Sequence, residues 1–526
     1  MRHRASSRTF YFLLAIAACT SRQASAGDCE QLSNVKLPNT EITNAETVAG
    51  GHFVSPYGSK IENLPTFCRL AGVITPSTDS YIRFEVWLPV SGWNHKYLGV
   101  GNGGFAGSIG YAGMANNLKR GYATAGTDTG HEGDAEDGSW AYKHPEKVID
   151  FGYRALHLTT ENAKKVVTAF YGNAAEHSYF DSCSDGGREA LMEAQRFPED
   201  FDGILAGAPA NFWTHLLTGA LDVNQKMLKN PAGYLSSTKL HAITAAALDA
   251  CDAEDGAKDG IISEPERCHF NPDVLLCRGV ETRNCLTAPQ IASLKAIYRG
   301  GETGRGEEMF PGLMPGGEDI AWAEWVTGAA PGAGTGYVAN YFRYMVFDDP
   351  VWNPLTANVV TAERTADQKT AHALNATDPN LHAFEARGGK LILYHGWDDP
   401  AISPLNTMNY YKNVLHTMGE QDARAFVVLY VVPGMEHCLR GPGPNSFGQL
   451  GTTTAQGPEH GIYDALEHWV EGGTAPDAIV ATKYMGDDRS KGVRMTRPLC
   501  PYPHIAKYAG NGDVNDASHW TCRSPE

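Results

Sequence analysis

Three short stretches carry side chains able to do nucleophilic chemistry together. Ser182-Cys183-Ser184-Asp185-Gly186 lies between a strand-like run ending at Phe180 and helical text starting near Gly187. A serine on a tight strand-to-helix turn is lifted clear of the backbone beside a helix amino terminus, and the strained turn demands small neighbours. Taken alone, the stretch reads equally well as a Ser/Asp helix cap, because Ser182 stands where a nucleophile motif usually has glycine. The second stretch, Trp397-Asp398-Asp399-Pro400, follows the apolar run Lys390-Leu391-Ile392-Leu393-Tyr394. A carboxylate there can orient an imidazole and stabilise its cation. The third, Pro433-Gly434-Met435-Glu436-His437-Cys438, again follows a strand-like run. A loop Asp is ordinarily a turn former and a loop His a solvated side chain. All three at strand ends in one chain point to acyl transfer, with Ser184 as nucleophile and His437 as base.

These groups need a scaffold that presents strand ends side by side. Alternation of Ile82, Phe84, Val86 and Leu88 marks a strand, and Tyr97-Leu98-Gly99-Val100 runs into the glycine-rich stretch 101–104. Residues 147–170 have helical spacing, 177–180 and 203–207 read as strands, and 187–197 as a helix. Strands alternating with helices predict a parallel sheet in an α/β chain. The order Ser…Asp…His is the one found on the α/β-hydrolase fold. Between 213 and 380 Gly, Pro and Trp are frequent and strand runs few, so this stretch is expected to be a lid inserted into the sheet domain. The expected organisation is a leader at 1–26, a core in two parts at 27–212 and 381–526, and the lid at 213–380.

Charge and cysteines narrow the setting. The 526 residues carry a net charge of −17, although the first 26 are basic and free of acids. So acidic a surface repels phosphate backbones and anionic headgroups, which excludes nucleic acid as an expected partner. Arg2, Arg4 and Arg8, an apolar run from Phe10 to Cys19, and Ala24-Ser25-Ala26 make a secretory signal. The run is too short to span a membrane. Ile16-Ala17-Ala18-Cys19 also fits a lipoprotein box, so the expectation is a secreted or periplasmic protein, with lipidation at Cys19 as the variant. The other ten cysteines suit disulfides in an exported chain. Short separations suggest Cys251–Cys268, Cys277–Cys285 and Cys500–Cys522, and Cys29–Cys68 spans the amino-terminal segment. Cys183–Cys438 is left, flanking the candidate nucleophile and base.

Cys183-Ser184-Asp185-Gly186-Gly187 with His437-Cys438, and Gly101-Asn102-Gly103-Gly104-Phe105-Ala106-Gly107, resemble the tannase and feruloyl esterase family, which also holds mono(2-hydroxyethyl) terephthalate hydrolase. The likeness extends over nearly the whole mature chain, to Arg497-Pro498-Leu499-Cys500-Pro501-Tyr502-Pro503. It implies a Ser184, His437 and Asp399 triad, with Asp399 preferred to Asp398 because the family's acid stands next to the proline, and the Cys183–Cys438 bridge. Acyl transfer also needs N–H donors for the developing oxyanion. Asp185 supplies one by position, and the resemblance favours Gly104 over Gly103 for the other. The acids in 251–261 suit a hard cation or a solvated turn equally well by chemistry. The resemblance implies a structural calcium ion in the lid, held by the Asp252, Asp255 and Asp259 side chains and the Ala257 and Ile261 carbonyls. No organic cofactor is expected.

The resulting expectation is a serine carboxylester hydrolase acting on small aromatic esters of feruloyl or galloyl type. The alternatives are a hydrolase of synthetic aromatic diesters or half-esters, mono(2-hydroxyethyl) terephthalate among them, and a non-catalytic ligand-binding protein on a hydrolase fold. The half-ester hydrolase has a lid arginine for the free carboxylate, and the stretch 332–340 aligned there contains none. Tyr337, Tyr341, Phe342, Tyr344, Phe347 and Trp352 are candidate walls for an aromatic acyl group. Oligomeric state is not legible.

Overall fold

The computed structural model describes residues 27–328, 336–452, 455 and 457–525. The expected leader, with Cys19, lies outside the described residues. Nine strands form one sheet: β1 (Thr40–Val48), β2 (Phe67–Ile74), β3 (Ile82–Pro89), β4 (Lys96–Val100), β5 (Ala123–Thr127), β6 (His177–Cys183), β7 (Gly203–Gly207), β8 (Lys390–Gly396) and β9 (Val427–Val432). Their spatial order is β1-β2-β3-β5-β4-β6-β7-β8-β9. The pairs from β1 to β5 are antiparallel, and every pair from β5 to β9 is parallel.

The parallel half is apolar on both faces because helices cover both. Successive side chains of a strand point to opposite faces. Phe180, Ile204, Leu391, Leu393 and Leu429 therefore join one core with α2 (Ala155–Tyr171), α3 (Asp185–Arg196) and α9 (Pro404–Met418). Their neighbours Tyr179, Leu205, Ile392, Tyr394, Val428 and Tyr430 join another with α10 (Ile462–Gly472). Helix α1 (Tyr111–Lys119) packs its Met114, Ala115 and Leu118 near Trp87. Each such side chain stabilises the fold by roughly 1.5–3 kcal/mol on burial.

Between β7 and β8 the described residues add no strand to this sheet. They form α4 (Trp213–Leu228), α5 (Ser237–Cys251), α6 (Ala288–Arg299), α7 (Glu318–Trp325) and α8 (Val359–Leu374), with a small hairpin at Gly300–Glu302 and Glu308–Pro311. This segment has its own core around Leu240, Ile243, Leu294 and Trp322. A second cluster, containing Phe105, Trp213, Tyr341 and Phe342, seats it on the sheet domain. All five expected disulfides are present, with Cα separations of 5.5 Å for Cys29–Cys68, 6.1 Å for Cys183–Cys438, 5.4 Å for Cys251–Cys268, 5.0 Å for Cys277–Cys285 and 5.6 Å for Cys500–Cys522. No helix among the described residues is long and apolar enough to cross a membrane.

Candidate active site

The loops after β4, β6, β8 and β9 leave the same, carboxyl-terminal edge of the parallel sheet, where ligands of open α/β sheets bind. Ser184 is the single residue between β6 and α3, so the turn is tighter than the sequence suggests. Its φ of +69° and ψ of −124° lie in a region that costs an L residue about 1–3 kcal/mol. Neighbouring hydrogen bonds hold it there. Ser184 N–H donates to Gly207 O at 3.0 Å, and Ser184 O accepts from Arg188 and Ala210 N–H at 3.1 Å each. A Cβ on Gly187 would lie 2.2 Å from Gly207 O, and one on Gly186 would lie 2.7 Å from Asn102 O. Only glycine lets helix and strand approach this closely.

His437 Nε2 is 2.8 Å from Ser184 Oγ, and His437 Nδ1 is 2.7 Å from Asp399 Oδ2. Asp399 Oδ1 accepts from Ala401 and Ile402 N–H at 2.8 and 2.9 Å. A second imidazole, His395, which sequence reasoning missed, lies with Nε2 3.0 Å from Asp399 Oδ2 and Nδ1 2.8 Å from Thr407 Oγ1. Burial works to raise the Asp399 pKa, but the His437 charge and the hydrogen bonds from His395 and His437 hold it well below the usual carboxylate range. Asp398 does the opposite. Burial, then the charges of Glu318, Glu436 and Asp319, push it well up, and its Oδ1 has no hydrogen-bond partner. Of the two candidate acids, Asp399 is the one in contact with His437.

Gly104, Ser184 and Asp185 all line an apolar cavity of about 200 Å³. Its φ is +60°, and a Cβ would lie 2.5 Å from Ala135 O. Gly103 does not line that cavity. The cavity is walled by Phe105, Trp213, Leu216, Leu217, Trp325 and Tyr337. Trp325 stands edge-on to His437, 5.3 Å between centroids, and parallel to Tyr337 at 6.2 Å. Of the six aromatics expected there, Tyr337 lines the cavity. Tyr341 and Phe342 are fully buried in the cluster that seats the lid on the sheet domain, and Tyr344, Phe347 and Trp352 pack against it, with Phe342, Phe347 and Trp352 stacked. Trp213 and Trp325 take the places those residues were expected to fill. Their helical spacing alone carries no sign of which tryptophan faces a cavity. Arg343 donates from Nε to Trp352 O. A second, larger recess of about 680 Å³ also reaches Ser184 and His437, with Tyr57, Ser108 and Asn116 in its lining.

The loop 252–261 is folded around its own carboxylates. Asp252 Oδ1 accepts from the N–H groups of Asp259, Gly260 and Ile261 at 3.1–3.2 Å, and Asp255 accepts from Ala257 N–H at 2.9 Å and Ser263 Oγ at 2.6 Å. Buried Arg497 pairs with Asp259 and lies 3.9 Å from Asp255. Three buried carboxylates beside one guanidinium leave negative charge uncompensated, and Asp259 Oδ1 has no partner. Oxygen donors with that charge fit a hard divalent cation. Although remote in sequence from the candidate triad, the loop is near it in space: Ile261 Cγ2 lies 3.1 Å from where a Cβ of Gly434 would be. Among the described residues, the ligand-type side chains grouped within 4.8 Å are instead His157, Glu193 and Asp200 beneath α2 and α3, where His157 already pairs with Asp200 at 2.6 Å.

Strand order and the serine, imidazole and carboxylate at the strand ends define an α/β-hydrolase fold. The family model for tannase and feruloyl esterase matches residues 68–523. The chain is 43% identical over 538 residues to an uncharacterized esterase of Xanthomonas campestris pv. campestris, covering 97% of this chain and 93% of the relative. It is 34% identical over 463 residues to a probable feruloyl esterase B-1 of Aspergillus oryzae, covering 87% and 84%. The crystal structure of feruloyl esterase B from Aspergillus oryzae matches with a TM-score of 0.87 at 31% identity, over 94% of this chain and 99% of that one. Tannin acyl hydrolase from Aspergillus niger shares the fold, with a TM-score of 0.75 at 22% identity over 95% and 94%. The chain belongs to the tannase and feruloyl esterase family and is a carboxylic ester hydrolase.

Proposed function

We propose that this chain is an exported serine esterase that cleaves aromatic acyl esters of feruloyl or galloyl type. The observation that carries the reading is the unbroken chain of hydrogen-bond contacts from Asp399 through His437 to Ser184, where Ser184 and His437 line both the apolar cavity and the larger recess. His437 Nε2 takes the Ser184 proton as Oγ attacks the ester carbonyl. Asp399 holds the imidazole in the tautomer that can do so and stabilises the cation. The N–H groups of Asp185 and Gly104 stabilise the oxyanion. The imidazolium returns its proton to the leaving alcohol, and water activated by the same ring releases the acid.

An apolar cavity of roughly 150 Å³ admits benzene, so one of about 200 Å³ accommodates a substituted aromatic ring. The alcohol then lies towards the larger recess, which shares Ser184 and His437 with the cavity. Among the described residues lining the apolar cavity there is no Arg or Lys to grip a second carboxylate, and Arg343 is engaged with Trp352. A neutral aromatic acyl group is thereby favoured over a terephthalate half-ester. Five disulfides and the leader support export. Calcium bound at Asp252, Asp255, Asp259, Ala257 and Ile261 would neutralise the buried charge of the loop beside the His437 segment, with no part in the reaction.

Initial rates on methyl ferulate, methyl gallate and mono(2-hydroxyethyl) terephthalate test the proposal, with Ser184→Ala alongside. The expected result is turnover of one of the first two, abolished by the substitution. Turnover that survives Ser184→Ala overturns the mechanism. Hydrolysis of none of the three overturns the feruloyl or galloyl assignment.

A further inference from the structure

The two proposed oxyanion donors come from chain segments far apart in sequence, Asp185 at the start of α3 and Gly104 in the loop after β4. A transition-state site works only if such donors keep a fixed separation, because losing one costs about 10²–10³ in kcat. α3 holds the loop by both polar groups of one residue. Gly186 N–H donates to Asn102 O at 3.0 Å, and Asn102 N–H donates to Glu189 Oε2 at 2.8 Å. Glu189 lies one helical turn beyond Asp185. The Asn102 side chain secures the far side of the loop, donating from Nδ2 to Ser108 O and Thr127 O at 3.0 Å each.

Glu189 is only 2% exposed, and its Oε1 has no hydrogen-bond partner. A carboxyl group buried this deeply with a single partner is costly for the fold. Space has been kept for it, since a Cβ on Gly101 would lie 2.6 Å from Glu189 Oε2. Its hydrogen bond goes to the loop that carries Gly104.

We propose that Glu189 is a positioning residue for ester hydrolysis: with Gly186 it clamps Asn102 and sets the Gly104 N–H in register with the Asp185 N–H. The inference rests on the proposed Ser184 mechanism. Glu189 touches neither substrate nor Ser184, and acts through the loop.

Glu189→Met keeps the length and removes the acceptor, whereas Glu189→Gln keeps an acceptor for Asn102 N–H. Rates are measured per active site, counted by stoichiometric labelling of Ser184 with an organophosphonate, so unfolded protein does not enter. The expected result for Glu189→Met is a 30- to 100-fold lower kcat with KM within about 3-fold, since oxyanion contacts strengthen only in the transition state. Glu189→Gln should restore kcat to within about 5-fold of the parent. If Glu189→Met does not fold, Glu189→Asp, which draws the acceptor back by one methylene, should show the same split. The proposal fails if kcat per labelled site survives loss of the acceptor, or if Gln is as damaging as Met. Ser184→Ala with undiminished turnover would instead sink the mechanism beneath it.

Discussion

Asp399→Asn tests the geometry at its most exposed point. Asparagine is nearly isosteric with aspartate but has one oxygen and one NH₂. The N–H groups of Ala401 and Ile402, at 2.8 and 2.9 Å from Oδ1, require the oxygen on their side. The reverse orientation leaves two buried donors unpaired, a penalty of roughly 2–6 kcal/mol. The NH₂ therefore faces His437 Nδ1, which must become an acceptor and place its proton on Nε2. An Nε2 that already carries a proton cannot take the one on Ser184. His395 accommodates this orientation by carrying its proton on Nδ1, where Thr407 Oγ1 accepts it at 2.8 Å, so that Nε2 accepts from the NH₂. Loss of the correct tautomer lowers kcat by about 10⁴, or about 5.4 kcal/mol at 1.36 kcal/mol per decade. KM should stay within a few-fold in initial-rate assays on the best ester. Asp398→Asn, one residue away and out of contact with His437, should keep kcat within about 3-fold. A fall below tenfold in Asp399→Asn, or an equal loss in both variants, would refute the reasoning.

Replacing Cys183 and Cys438 together by Ser removes a bridge across 255 residues of sequence. It should cost about 2–5 kcal/mol in denaturant unfolding and reduce kcat/KM at least tenfold, and full activity would show the bridge dispensable. Chelation should lower the melting temperature by several degrees, with calcium restoring it. An unchanged melt with no calcium found by elemental analysis would retire the metal. Burial, then the Asp399 charge, push the Glu436 carboxyl up to about 7. The native state then keeps a proton that the unfolded chain releases near pH 4.3, so the stability this contributes is full below that pH and is lost as pH rises to about 7. Glu436→Gln, neutral throughout, should match the parent at pH 4 and exceed it at pH 8 by on the order of 1 kcal/mol in parallel melts. A gap independent of pH would contradict this.

Much of the site was legible because it is built from strand ends. Period-two alternation and short apolar runs locate strands, and a polar residue just after such a run is placed by covalent geometry. Ser184, His437 and the Asp398–Asp399 pair were found that way, and the cysteines by separation and elimination. The cavity walls were not. Tyr341, Phe342 and Trp352 have the composition of a binding wall, yet they pack in the cluster between lid and sheet domain, while Trp213 and Trp325 line the cavity that reaches Ser184. Which face of an amphipathic lid helix meets substrate depends on what else packs there, and no local pattern records that. His395 and Glu189 escaped for the same reason, since each acquires meaning only through a partner distant in sequence or across the turn.

By itself the chain determined the strands that lead into the candidate residues, the residue types at their ends and the stock of cysteines, all consequences of local periodicity and covalent spacing, whereas the strands Thr40–Val48, Phe67–Ile74 and Ala123–Thr127 appear only in the structure. The tertiary structure decided which aspartate reaches His437, where the glycine loop lies relative to the Ser184 turn, and that the acidic lid loop packs against the segment preceding His437. Those outcomes are set by contacts between segments up to 173 residues apart, the separation of Ile261 and Gly434. Hydrogen-bond geometry there is a matter of tenths of an ångström, which packing of the whole core imposes and no stretch of sequence encodes alone.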